Sequence, residues 1–186
     1  MPSKKGKLFV ISGPSGVGKG TIVKALCPQY AQVSVSATTR PQGKGEVDGT
    51  NYYFLTRQEF ERRISEGLFL EHAEVFGNLY GTPAKEIKRE LEAGRNIILE
   101  IDVQGALQVK SKMPEAVMIF ILPPSMEELE RRIRARGRDT EEVIAERLEK
   151  AALEMKIGKE HYDYFVVNDI LENAVRETAE IIDSNN

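Results

Sequence analysis

Leu8-Phe9-Val10-Ile11-Ser12-Gly13-Pro14-Ser15-Gly16-Val17-Gly18-Lys19-Gly20-Thr21-Ile22-Val23 is the stretch whose reading decides the fold. The apolar run Leu8–Ile11 has the look of a buried strand. Gly13 to Gly18 is a glycine-rich turn, and Ile22-Val23-Lys24-Ala25-Leu26 continues as a helix. Strand, glycine turn and helix start are the context a phosphate-binding loop needs. Glycines let successive N–H groups curl inward toward an anion. The helix start adds unpaired N–H groups and the positive end of its dipole. Lys19 supplies a mobile positive charge for the outer phosphates. The common form of the loop puts Ser or Thr directly after the lysine. Here Gly20 intervenes and the hydroxyl belongs to Thr21, which is therefore not assigned as a metal ligand.

Outward from this loop, apolar runs alternate with helical patterns. Val33–Ser36 alternates like a strand, and Ala37 to Gly49 reads as a long Gly- and Pro-containing loop. Asn51–Leu55 returns to strand character. Thr56-Arg57-Gln58-Glu59 opens a helix that Gly67 ends. Phe69–Phe76 reads as a strand turning at Gly77-Asn78, and Thr82-Pro83 as the start of a helix closed by Gly94. Asn96–Asp102 is an apolar run ending in acids, the pattern of a central parallel strand with functional groups at its C-terminal end. Ala116–Leu122 is a second such run. Ser125 to Glu128 opens a helix carrying Arg131, Arg132, Arg134 and Arg136 that Gly137 breaks. Thr140 caps a helix to about Ile157, Phe165–Asn168 is a last strand, and Glu172–Ile182 is an amphipathic helix. The alternation predicts an α/β fold with a mainly parallel sheet, and the strand-rich segment from about Ala37 to Arg89 predicts an inserted lobe.

Composition narrows the function classes. The chain has 186 residues, 41% hydrophobic and 30% charged, with a formal net charge of −3. That fits one globular domain and lacks the basic balance of a nucleic-acid binder. No apolar run reaches membrane-spanning length, and Met1-Pro2-Ser3-Lys4-Lys5 does not read as a signal peptide. The single cysteine, Cys27, reads as a buried inert thiol, and a cytoplasmic location is expected. His72 and His161 lack metal-ligand spacing.

The Gly18-Lys19-Gly20-Thr21 variant resembles nucleoside monophosphate kinases. Further segments narrow the resemblance to the guanylate kinases: Ser36-Ala37-Thr38-Thr39-Arg40, Gly45-Glu46-Val47-Asp48-Gly49 with Tyr52, Glu71, Leu79-Tyr80-Gly81-Thr82, Ile101-Asp102-Val103-Gln104-Gly105, Arg136 and Arg147. The resemblance covers nearly the whole chain. It implies a P-loop kinase core with a parallel sheet flanked by helices (about 1–36, 90–124 and 158–186), a mixed α/β GMP-binding lobe (about 37–89) and a helical lid (about 125–157). It implies phosphoryl transfer from ATP, with Mg²⁺, to GMP in purine nucleotide metabolism and GMP recycling, with dGMP a second candidate acceptor. No nucleic acid, membrane or obligate protein partner is implied.

By the same resemblance, Gly13, Pro14, Ser15, Gly16, Val17, Gly18, Lys19, Gly20, Thr21, Arg132, Arg136 and Asn168 bind ATP. Ser36, Arg40, Tyr52, Glu71, Tyr80, Thr82, Glu100 and Asp102 bind GMP. Lys19, Arg40, Arg136 and Arg147 are the expected catalytic set. The chemistry is coherent. A carboxylate at Glu71 suits guanine's N1–H and N2–H donors, and hydroxyls at Ser36 and Thr82 suit its O6. Adenine would leave such groups unpaired. Arg40 suits a bidentate grip on phosphate, and the tyrosines suit hydrogen bonds to it. Taken singly, each has a plainer reading: Ser36 as a strand hydroxyl, Glu71 as a surface acid, the tyrosines as half-buried sheet residues, Thr82 as a helix cap, and the arginines as a solvated face. The family usually carries a second arginine three residues beyond Arg40. Gly43 stands there, and the adjacent Lys44 offers a charge without a fork. The alternatives are a catalytically weak guanylate-kinase-like binding module, and a kinase for another phosphorylated acceptor. A GTPase would want a hydroxyl residue straight after Lys19 and an Asn-Lys-x-Asp segment, neither of which is present.

Overall fold

The computed structural model describes residues 5–137 and 139–186, so Met1 to Lys4 and Arg138, the last of the basic stretch, lie outside the described residues. Its strands are β1 (Leu8–Ser12), β2 (Gln32–Val33), β3 (Ala37–Thr38), β4 (Tyr53–Phe54), β5 (Phe69–Val75), β6 (Asn78–Pro83), β7 (Ile97–Glu100), β8 (Val117–Leu122) and β9 (Tyr164–Val167). Its helices are α1 (Lys19–Leu26), α2 (Arg57–Ser65), α3 (Ala84–Glu92), α4 (Val103–Lys112), α5 (Met126–Ala135), α6 (Glu141–His161) and α7 (Leu171–Ser184).

Two sheets organise these elements. The first runs β2-β7-β1-β8-β9, parallel throughout. All of β1 is buried, and its alternation divides the core. Phe9 and Ile11 face one cluster with Val23, Leu26 and Ile182. Leu8 and Val10 face the other with Leu91, Val109 and Phe120. A strand covered on both faces is apolar at every position, which is why Leu8–Ile11 reads so clearly. The chain leaves β1 for α1, and β1's two neighbours, β7 and β8, come from later in the sequence. This is a topological switch point, where a crevice opens beyond the strand ends.

The second sheet is mixed, in the order β4-β3-β6-β5. Its small core is Ala37, Phe60, Phe69 and Leu79, with the Phe60 and Phe69 rings stacked at 4.5 Å. It joins the first sheet through α4. Gln108 donates to the His72 carbonyl at 2.6 Å and accepts from the His72 N–H at 3.1 Å.

Several boundaries differ from the sequence reading. Of the strand expected at Val33–Ser36 only Val33 lies in a strand, β2, because the chain crosses from the first sheet to β3 of the second at Ser34–Ser36. The Ser34 N–H still bonds Ile98 of the first sheet, while the Ser36 carbonyl already accepts from Tyr53 of the second. Ala37 and Thr38, read as loop, form β3. Thr82 and Pro83, read as a helix start, end β6, and Pro83 rather than Thr82 occupies the N-cap of α3. Helix α4 was not anticipated. Asp102 caps it, with Oδ1 accepting from the Gly105 N–H at 3.0 Å. Helix α6 runs on to His161, because Gly158 is a packing contact rather than a stop. A Cβ there would lie 2.8 Å from the Phe120 ring.

Candidate active site

The crevice beyond β1 is a cavity of about 300 Å³. Gly13, Ser15 and Lys19 line one side, and Ser36, Tyr52, Glu71 and Tyr80 the other. Glu100 and Asp102 form its floor, with Arg147, Lys150 and Glu154 of α6 along one wall. The first sheet thus supplies the phosphate loop, and the second supplies the residues expected to read a base.

On the loop side, Lys19 opens α1 and is half-buried. Its Nζ donates to the Gly13 and Pro14 carbonyls, the latter at 3.2 Å. Burial pushes its ammonium below the ordinary lysine value, and the carboxylates of Glu100, Glu154 and Asp102 oppose that. Gly20 lies against the Glu100 carboxylate. Behind the loop, Asn168 is buried and donates Nδ2 to the Val17 carbonyl at 2.8 Å, while Arg132 donates to the Asn168 carbonyl at 2.9 Å. Both residues therefore buttress the loop from outside the cavity.

The base side is built around Glu71, which is 2% exposed in β5. Thr82, opposite in β6, donates Oγ1 to Glu71 Oε1 at 2.6 Å. Burial raises the Glu71 carboxyl to about 7, the Thr82 hydrogen bond pulling the other way. The helix behind it carries Gly105, where a Cβ would sit 2.3 Å from Glu71 Oε2. Any side chain at Gly105 would evict the carboxylate. Thr82 thus holds the Glu71 carboxylate and stands outside the cavity lining.

Arg40 stands beside Tyr52 and outside the cavity lining. Its guanidinium sits 5.4 Å from the Tyr52 ring centre, and its fork is bidentate on Glu46 at 2.7 and 3.0 Å. The same carboxylate accepts the Gly43 N–H at 2.6 Å. A Cβ at Gly43 would crowd it at 2.9 Å, and Lys44 is exposed and outside the cavity lining. The long loop thus closes around Glu46 where an arginine was expected.

The basic helix divides into two faces. Arg131 pairs with Glu128, and Arg134 with Glu130 and Glu141, as a solvated face does. Arg136 ends α5, near enough to Lys19 to help depress it. Arg147 reaches farther. It donates to Ser15 Oγ at 2.9 Å and pairs with Asp139 at 3.2 Å.

A guanylate kinase family model matches residues 5–185. The chain belongs to the guanylate kinase family. The guanylate kinase of Clostridium acetobutylicum (strain ATCC 824) is 55% identical over 181 residues, covering 97% of this chain and 86% of the relative. That of Streptococcus agalactiae serotype III is 51% identical over 185 residues, covering 98% and 88%. Among solved structures, guanylate kinase from Anaplasma phagocytophilum superposes with a TM-score of 0.82 at 40% identity, covering 99% of this chain and 88% of that one.

Within this guanylate kinase fold, the sequence reading missed Lys150 and Glu154. Both line the cavity, and Glu154 is 6% exposed with Lys150 facing it at 3.8 Å. They lie three and seven residues beyond Arg147, on the same helical face. In a helix so rich in Glu and Lys, that spacing was the one available signal.

Proposed function

We infer that the chain transfers the terminal phosphoryl group of ATP to the phosphate of GMP, giving ADP and GDP. The observation that carries this reading is the one cavity shared by the Lys19 loop and the buried Glu71 pocket. It brings a site for a phosphate chain within reach of a site built for a base with two adjacent donors. The γ-phosphorus–oxygen bond of ATP breaks as an oxygen of the GMP phosphate bonds to that phosphorus. The acceptor oxygen is already an anion, so no general base is required. Catalysis then rests on positioning and charge neutralisation.

Lys19 and the loop amides hold the β- and γ-phosphates. Arg136 and Arg147 meet the charge spread over the transferring group. Glu71 accepts the guanine N1–H and N2–H, Ser36 faces O6, and Tyr52, Tyr80 and Arg40 hold the GMP phosphate. Among the described residues no cluster of three metal-ligating side chains occurs. Two of the cavity carboxylates, Glu100 and Asp102, fit Mg²⁺, which keeps several waters and is held by one or two carboxylates together with substrate phosphates. Glu100 and Asp102 would orient its water shell, and the ion would supply charge neutralisation to the phosphates. In this reading residues about 37–89 form the GMP lobe and about 125–157 the lid over ATP. No helix among the described residues is long and apolar enough to cross a membrane, and a free-nucleotide substrate suits a cytoplasmic enzyme.

The test is ADP release with ATP and Mg²⁺, comparing GMP, AMP, UMP and CMP as acceptors. Turnover with GMP alone is expected. Binding of GMP with no turnover would instead support the binding-module reading. Arg40→Lys keeps the charge but loses the fork. It is expected to raise KM for GMP by about 10- to 100-fold, the loss of a charge-assisted hydrogen bond, with KM for ATP little changed. Steady-state kinetics would show this, and an unchanged KM for GMP would remove Arg40 from the phosphate site.

A further inference from the structure

The β5–β6 hairpin turns through two residues, Phe76 (φ 48°) and Gly77 (φ 77°), between the paired Val75 and Asn78. Positive φ at both central positions is the turn that favours Asn-Gly. A phenylalanine there is a steric outlier, and among the described residues it is the one non-glycine residue with positive φ. Burial does not explain the choice, since Phe76 is 52% exposed. A residue that breaks the local rule and gains no core packing points to function.

Its ring has two cationic neighbours. The Arg147 guanidinium lies 5.1 Å from the ring centre and the Lys150 ammonium 4.9 Å, both within cation–π range. Both are on α6, both line the cavity, and Arg147 also bonds Ser15 of the phosphate loop. Phe76 sits five residues past Glu71 on the same hairpin. One ring therefore joins the base-reading sheet to the helix that carries the phosphate-facing cations.

We propose that Phe76 is a positioning residue: its ring holds Arg147 and Lys150 over the cavity, so that GMP in the second sheet and ATP on the loop strengthen each other's binding. This rests on the GMP kinase reading and adds the contact that couples its two sites. Coupling of this kind is reciprocal by linkage.

The test uses calorimetric affinity for a non-hydrolysable ATP analogue, with and without saturating GMP. Three chains are compared: wild type, Phe76→Asn and Phe76→Tyr. Asn suits the left-handed backbone, so Phe76→Asn is expected to melt at the wild-type temperature or above. Wild type is expected to bind the analogue more tightly with GMP present. In Phe76→Asn that gain is expected to fall by about tenfold, the scale of two exposed cation–π contacts. Affinity for each ligand alone should change little, and Phe76→Tyr, which keeps the π face, should restore most of the coupling. Undiminished coupling in Phe76→Asn, or equal weakening with and without GMP, overturns the proposal alone. Failure of the wild-type chain to bind GMP at all would overturn the function reading and the proposal with it.

Discussion

Lys19→Ala is expected to lower kcat/KM by about 10²- to 10³-fold, the scale of removing one preorganised contact to developing charge. The ammonium stands where the loop amides and the α1 dipole already favour an anion. The cavity wall around it partly excludes water, which strengthens its pull on a phosphate. Its hydrogen bonds go to the Gly13 and Pro14 carbonyls, main-chain groups of its own loop. Swinging from those carbonyls to a phosphate exchanges weak partners for a charged one. Because these bonds are local, the melting temperature of Lys19→Ala should stay within a few degrees of wild type, and the loss should appear in ADP release. A folded variant with near-normal turnover would break the proposed mechanism.

Glu71→Gln is expected to lose GMP affinity by about 10²-fold or more while gaining stability at about pH 8. Two guanine donors need two acceptors on one group, and an amide offers one acceptor and a donor that would oppose the other N–H. The stability change has the opposite sign. Burial raises the Glu71 carboxyl from 4.5 to about 7, so between those values the folded chain binds more protons than the unfolded one. Its contribution to stability is therefore full below about pH 4.5 and is lost as pH rises through 7. Once ionised, the buried carboxylate costs roughly 3 kcal/mol, to order of magnitude. The glutamine amide of the variant would keep an acceptor for Thr82 without that cost. In the proposed reading the same titration governs wild-type binding: GMP pairs with the carboxylate, so its Kd should be flat above about pH 7 and rise toward about tenfold per pH unit below it. Glu71→Gln should not show that pH dependence. Calorimetry across about pH 5.5 to about 8.5 would show both curves, and a pH-independent wild-type Kd would exclude Glu71 as the base reader.

The core was legible in the sequence where physics leaves one solution. A strand buried on both faces must be apolar throughout, so β1, β7 and β8 stood out, and the caps at Thr56, Ser125 and Thr140 marked their helices. The second sheet was harder. Its strands β3 and β4 are two residues long, too short for any period to show, and β6 ends in a proline that imitates a helix start. Helix α4 was hidden because Asp102 looks like a strand-end acid while also acting as an N-cap. At the site, the glycine loop announced itself locally. Glu71, Thr82 and Gly105 are far apart in sequence, and only folding shows that one hydroxyl holds the carboxylate while a missing side chain makes room for it. Phe76 gave no sign in sequence, since its meaning lies in a backbone angle.

The close packing of Gly158 on Phe120 gives α6 a mechanical character. Its buried residues are Ile144, Ala151, Glu154 and Gly158, so the helix is held along its length rather than at one end. Ile144 and Ala151 belong to the core cluster of Phe9 and Ile11, while Gly158 packs on Phe120 of the opposite cluster. A rod seated at both ends transmits a displacement instead of absorbing it. At about 1.5 Å per residue, Arg147 stands about 16 Å from Gly158. A side chain forced in at Gly158, remote from the glycine-rich loop, would therefore be felt where Arg147 meets Ser15.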